Sequence, residues 1–296
     1  MLHSHALAAL QSLYRQHPGH RPRLELLVDL TSLEKTGKFA TLTDWVHTYN
    51  GVHGVHLVVL YLCCGPLRLP WAFQIWRGKG TLSPAQLALK LLRTVPAGLL
   101  KAKRTPRLHA DGGFESAEFI QGVLAKGLDI VVGVRCTRKL EDGRSVQEVR
   151  TRGDVVKPVG LHQPMCLSRV WLYRNDEPEQ RFVMSNLNLG GKYLARVGKR
   201  RWCIEAFFKT IKGRFGLERF VQHSKQGVLR WWPGGTELSA VPFTRSGHAD
   251  QATRYLARLG RSGENRPVFV RAGDPSSSTR NRVAGPRCLP ARTSFP

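Results

Sequence analysis

Twenty-one acidic side chains are spread through the 296 residues, and three of them sit where a carboxylate is poorly solvated. Asp29 stands at the end of the apolar run RLELLVDL (23–30). Asp111 ends the short run Arg107-Leu-His-Ala-Asp before the pair Gly112-Gly113, and Glu205 lies in an aromatic, helix-forming segment. An acid beside a core strand or inside an apolar helix loses hydration and needs a partner. A bound cation is one of the few partners that satisfies several carboxylates together. Three carboxylates converging on one point can hold two Mg²⁺ or Mn²⁺ ions, and two such ions can activate an attacking oxygen and steady a leaving one in phosphoryl transfer. Each acid taken singly has a plainer role, capping a turn or pairing with an arginine.

The pattern around Glu205 favours the set. At ~100° per residue, Arg201, Glu205 and Lys212 fall within about 40° of one another on a helix. Ile204, Phe208, Ile211 and Phe215 occupy the neighbouring sector, so an apolar stripe can seat the helix and leave the polar line at a cleft edge. Lys199, Arg200, Lys209, Arg214 and Arg219 extend a dense basic run. Such a run is ordinarily a solvated face. Beside a carboxylate that holds metal it suits phosphate contact, with Arg201 and Lys212 as the expected contacts to the DNA backbone and Lys209, Arg200 and Lys199 as further ones.

Arg201-x3-Glu205-x6-Lys212 resembles the signature helix of the DDE transposases of bacterial insertion sequences, in the group numbered four, whose full pattern is Y-x2-R-x3-E-x6-K. The tyrosine of that pattern falls at Gly198. The family's first aspartate is followed by small hydroxylic residues, as in Asp29-Leu30-Thr31-Ser32, and its second lies in a D-x-G-F segment, as in Asp111-Gly112-Gly113-Phe114. The three motifs occur in order, and the resemblance covers about residues 23 to 232. It implies an RNase H-like core with a β-rich insertion between the second aspartate and the glutamate, and Asp29, Asp111 and Glu205 as catalytic metal ligands for two Mg²⁺ or Mn²⁺ ions. It also implies an activity: cleavage at transposon ends and strand transfer into target double-stranded DNA. Water attacks first and the freed 3′-hydroxyl second, with no covalent enzyme intermediate. Proteins of this type are expected to act as homodimers. Another metal-dependent nuclease or resolvase of the same fold, and a non-enzymatic DNA-binding remnant, remain as alternatives.

The elements that must position these residues are legible as an α/β pattern. Three strands, at 23–30, 55–63 and 67–76, lead to a helix over 85–93 with Ser83 as cap and Pro84 at its first turn. A strand at 107–111, a helix over 116–126 closed by Gly127 and a strand at 128–134 follow. This predicts a mixed five-stranded sheet with an antiparallel start. Residues 1–22 read as a short helix, centred on 6–14, and a connector. Short β-like runs at 146–150, 170–173 and 181–185 mark a β-rich insertion over about 136–189. A basic helix spans 193–215. The catalytic domain is thus expected over 23–232. After it, residues 233–296 carry ten arginines and no lysine and are rich in glycine, proline and serine. That stretch is expected to be disordered or derived from a shifted reading frame, in a truncated copy.

Composition agrees with a polyanionic partner. Lysine and arginine number 46 against 21 acids, a formal charge of +25, and nucleic acid is the commonest partner that offsets such self-repulsion. The six cysteines form no CxxC pair, which points to a reduced compartment without a zinc site. The longest strongly apolar run, 57–64, is about a third of a membrane span, and no secretory signal is visible, so a cytoplasmic, nucleoid-associated protein without membrane contact is expected. No Gly-Lys pair sits in a GxxxxGK[ST] frame, so no nucleotide cofactor is expected. His47, His53 and His56 match no zinc spacing and read as solvated or core-edge residues, and Trp71 and Trp76 read as core rather than base-stacking platforms.

Overall fold

A computed structural model describes residues 2–35, 40–101, 104–150, 153–174, 177–214 and 224–226. The chain opens with α1 (Leu2–Gln16) and β1 (Leu24–Glu34), followed by the antiparallel strands β2 (Val46–Tyr49), β3 (Val52–Cys64) and β4 (Leu67–Trp76). Then come α2 (Pro84–Leu92), a single turn α3 (Ala97–Leu100), β5 (Arg107–Ala110), α4 (Ala117–Leu124) and β6 (Asp129–Val134). The strands β7 (Asp154–Val156), β8 (Met165–Arg174) and β9 (Glu177–Ser185) precede α5 (Gly191–Gly198) and α6 (Trp202–Lys209).

Among the described residues, nine strands form one sheet. At its centre β4 pairs with β3, β3 antiparallel with β1, β1 parallel with β5, and β5 parallel with β6. This order, with an antiparallel start and two parallel crossovers through helices, is an RNase H-like core. Within 136–189, β8 and β9 pair with each other, and β9 runs antiparallel to β6, so these strands prolong the same sheet.

Strand alternation sorts the side chains onto two faces. Leu24, Leu26 and Val28 of β1, with Leu108, Ala110, Ile130 and Val132, pack against Leu10 and Leu13 of α1, Leu91 of α2, and Phe119 and Val123 of α4. On the opposite face Leu27, Val59, Tyr61 and Cys63 pack against Ile204, Phe207, Phe208 and Ile211. Each fully buried Leu, Ile or Phe contributes about 1.5–3 kcal/mol, so the apolar stripe of α6 is a strong reason for that helix to lie on this face.

Local chemistry sets the connections. Ser83 accepts the backbone N–H of Gln86, and the Gln86 side chain accepts the N–H of Ser83, a capping box at the start of α2. Ser116 caps α4 in the same way, accepting from Phe119. The β3–β4 hairpin turns at Gly65, whose φ of +54° suits a residue without Cβ.

Four expectations need correction. Asp29 does not end its strand: β1 continues to Glu34 because β3 goes on pairing with it, while the shorter β5 stops opposite Val28. The short strand β2 was not anticipated, since VHTY is too brief and polar to show alternation. Residues Val146–Glu148 form a 3₁₀ turn, not a strand, with Glu148 folded back onto the amide of Ser145. The single helix expected over 193–215 is broken into α5, a 3₁₀ turn at Lys199–Arg201, α6 and a π turn at Thr210–Arg214; Phe215 lies outside the described residues. The segment 233–296 lies outside them as well.

Candidate active site

Asp29 is buried in the middle of β1, one residue past the last pair of the parallel β1–β5 ladder. Its Oδ1 accepts the backbone N–H of Leu30 at 2.8 Å, and its Oδ2 accepts Nη1 of Arg201 at 2.9 Å. Asp111 follows β5 directly, so the parallel ladder, whose last pair is Val28 with Ala110, sets it beside Asp29 in the middle of β1. Its carboxylate caps the 3₁₀ turn Gly112–Phe114 by accepting the N–H of Gly113 at 2.9 Å. That turn packs closely on β6: a Cβ on Gly133 would stand 3.0 Å from the amide nitrogen of Gly112.

Glu205 arrives from far along the chain. Ile204, fully buried, and Phe207 and Phe208 seat α6 on the sheet, which leaves Glu205 partly exposed at the edge of the contact. Nη2 of Arg201 reaches its Oε1 at 2.7 Å, one turn along the helix. A single guanidinium therefore bridges Asp29 and Glu205.

The electrostatics bind the group together. Burial, then the neighbouring charge of Asp111, push the Asp29 carboxyl up to about 7, against the opposing pull of Arg201; Glu205 pushes it the same way as Asp111. Burial also raises Asp111, opposed by Arg201 and the Gly113 N–H. Burial pulls Arg201 down, yet the charges of Asp29, Glu205 and Asp111 together hold it above its ordinary value. Arg201 thus feels all three carboxylates.

Asp29 and Glu205 are therefore brought together on Arg201, with Asp111 close enough for its charge to act on Asp29 and Arg201. Arg200 turns instead to Glu25, at 3.6 Å, while remaining half exposed. Lys209 is exposed, Lys212 sits partly buried on the π turn, and the side chain of Lys199 lies outside the described residues. Glu25 is not among the acids that the sequence singles out. It lies on β1 four residues before Asp29, so both point to the same face, and that spacing within RLELLVDL was the available signal. It also meets Nε2 of His109 at 3.5 Å, and burial keeps His109 below its usual range.

All of this lies within one recognisable unit: residues 20–232 match the family described as Transposase DDE domain. The chain belongs to that family. No curated protein matches the sequence. A solved structure, the cryo-EM structure of a piggyBac transposase synaptic complex with hairpin DNA, is similar at 13% identity with a TM-score of 0.43. The match covers 87% of this chain and 59% of that one, so this chain spans less than two thirds of its length.

In this DDE domain the donor chemistry suits a hard divalent cation: oxygen ligands only, with burial raising both aspartates and the neighbouring carboxylates adding to the shift of Asp29. As the side chains are placed, no group of three among the described residues is arranged to hold an ion, and Arg201 occupies the place between Asp29 and Glu205. The histidines sit elsewhere in the DDE domain. His56 is buried against the Ser32 hydroxyl and the His47 carbonyl, at 2.7 and 2.8 Å. Trp71 is buried and donates to Thr94. Among the described residues no helix is long and apolar enough to cross a membrane.

Proposed function

We propose that this DDE domain is the catalytic part of an insertion-sequence transposase, cutting phosphodiester bonds at transposon ends and joining the freed strands to target double-stranded DNA. The observation that supports the proposal is the meeting of Asp29, from a central strand, and Glu205, from a helix far along the chain, on the Arg201 guanidinium, with Asp111 at the end of the parallel neighbour strand near enough for its charge to act on both Asp29 and Arg201. Three carboxylates have no structural need to meet there; burial raises the pKa of Asp29 and Asp111, and the charge of Asp111 adds to the shift of Asp29.

Asp29, Asp111 and Glu205 would hold Mg²⁺ or Mn²⁺. When bound, a pair of such ions supplies an activated attacking oxygen and stabilises the leaving one. The residues of the chain do the positioning. The Leu30 and Gly113 amides orient the two aspartates, Ile204 and Phe207 fix the depth of α6, and Arg200, Lys209 and Lys212, with Lys199, lie along one basic helical segment suited to backbone phosphates. Two transposon ends need two such sites, which a homodimer provides.

Incubation of the full chain with supercoiled plasmid, and with pre-cut ends plus target plasmid, tests this. Mg²⁺-dependent nicking and strand joining, both lost in Glu205→Gln, are expected. Nicking without joining assigns a nuclease instead. Salt-sensitive DNA binding indifferent to metal and to Glu205→Gln reduces the chain to a DNA-binding protein.

A further inference from the structure

We infer that Arg201 is a built-in counter-cation of the carboxylate site: it neutralises Asp29 and Glu205 until a divalent ion takes its place, and the exchange frees its guanidinium for a phosphate of the DNA strand. This rests on the carboxylates being a metal site, as proposed above. The geometry carries it. Both oxygens of Asp29 are engaged, Oδ1 by the Leu30 N–H and Oδ2 by Arg201 at 2.9 Å, and Oε1 of Glu205 is held by the same guanidinium at 2.7 Å. An ion bound between Asp29 and Glu205 meets these same oxygens. Lone pairs remain on each oxygen, but a dication and a guanidinium sharing them would stand within a few ångströms of each other in a partly buried site, where like charges repel strongly.

Arg201 is suited to such an exchange. It begins α6 in the 3₁₀ turn Lys199–Arg201, so its side chain can swing without moving the buried stripe of Ile204, Phe207 and Phe208. It is partly exposed, with a way out to solvent. Arg200, next to it, is held separately by Glu25, so the turn stays anchored to β1 when Arg201 lets go. Buried Asp29 and half-buried Glu205 would repel each other without a counter-cation. The arginine keeps the metal-free site folded, and metal loading and strand binding become linked through one side chain.

Mn²⁺ binding measured by calorimetry on the DNA-free chain tests the exchange without any turnover. Arg201→Gln is expected to bind Mn²⁺ at least ~5-fold more tightly than wild type, with Arg201→Lys, which cannot bridge two carboxylates in the same way, in between. Equal or weaker Mn²⁺ binding by Arg201→Gln overturns the inference. A second measurement needs no variant. Phenylglyoxal labelling of the wild-type chain, read by mass spectrometry, should show Arg201 becoming more reactive on adding Mn²⁺; unchanged labelling of Arg201 overturns the inference. Failure of the underlying reading looks different: Mn²⁺ would then bind wild type and the double variant Asp29→Asn, Asp111→Asn alike.

Discussion

Arg201 and Asp29, separated by 172 positions in the chain, are joined by a hydrogen bond of 2.9 Å that ties the start of the last helical segment to the central strand. The pair explains how a buried carboxylate is tolerated in the middle of β1, and it gives Asp29 a measurable signature. Its folded pKa, about 7, lies above the ordinary value of 3.8, so the folded chain holds the proton more tightly than the unfolded one. Between those two values the unfolded chain has released the proton and the folded chain has kept it. Stability therefore falls as pH rises from about 4 to about 7 and is level above that. Asp29→Asn removes this slope, shifting the stability difference in favour of the variant by on the order of a few kcal/mol across the window. Thermal melts of the metal-free chain at about pH 4 and about pH 7.5 check it; parallel curves for the two proteins would contradict it.

Asp111→Asn and Glu205→Gln are close in shape to the native side chains and remove charge from the site. Each should lower metal-dependent nicking by on the order of 10²–10³-fold while the far-UV circular dichroism is unchanged. Nicking rates measured over a Mg²⁺ titration decide this, and near-native rates in either variant would exclude that residue from the site.

Gly133→Ala places a methyl group 3.0 Å from the amide nitrogen of Gly112 and 3.4 Å from the carbonyl carbon of Asp111. The contacts are backbone, so the turn itself must shift. A loss of about 1–3 kcal/mol is expected, with nicking reduced further because the Asp111 carboxylate moves with its turn. Urea unfolding and nicking assays on the same preparation separate the two effects.

Ser83→Ala serves as a control on the opposite face of the sheet. It removes the side-chain half of the capping box on α2 and should cost ~1 kcal/mol. Nicking at a temperature well below the melting midpoint should match wild type.

Much of the fold, and the acids of the candidate site, are legible in the sequence. The core strands and the helices between them show in local periodicity, because alternation and helical spacing record which side of each element is buried. The serines that cap α2 and α4 announce the helix starts one residue ahead. Asp29, Asp111 and Glu205 stand out because acids are rare in apolar surroundings. Where the pattern was short or polar, as in β2, or where a side chain folded back on its own backbone, as Glu148 does on Ser145, periodicity carried no information.

The sequence by itself determined the inventory: three acids, a basic helical segment, and an α/β order with an antiparallel start. The RNase H-like sheet was implied by the resemblance of the three motifs to DDE transposases, because local periodicity records which side of each element is buried but not its neighbour. The tertiary structure decided the contacts. A single register between β1 and β5 sets Asp29 beside Asp111, and the seating of Ile204 and Phe207 on that face brings Arg201 onto both Asp29 and Glu205 rather than out toward solvent. Charge pairs of this kind depend on distances of a few ångströms between segments far apart in the chain, and only the packing of sheet against helix supplies those distances.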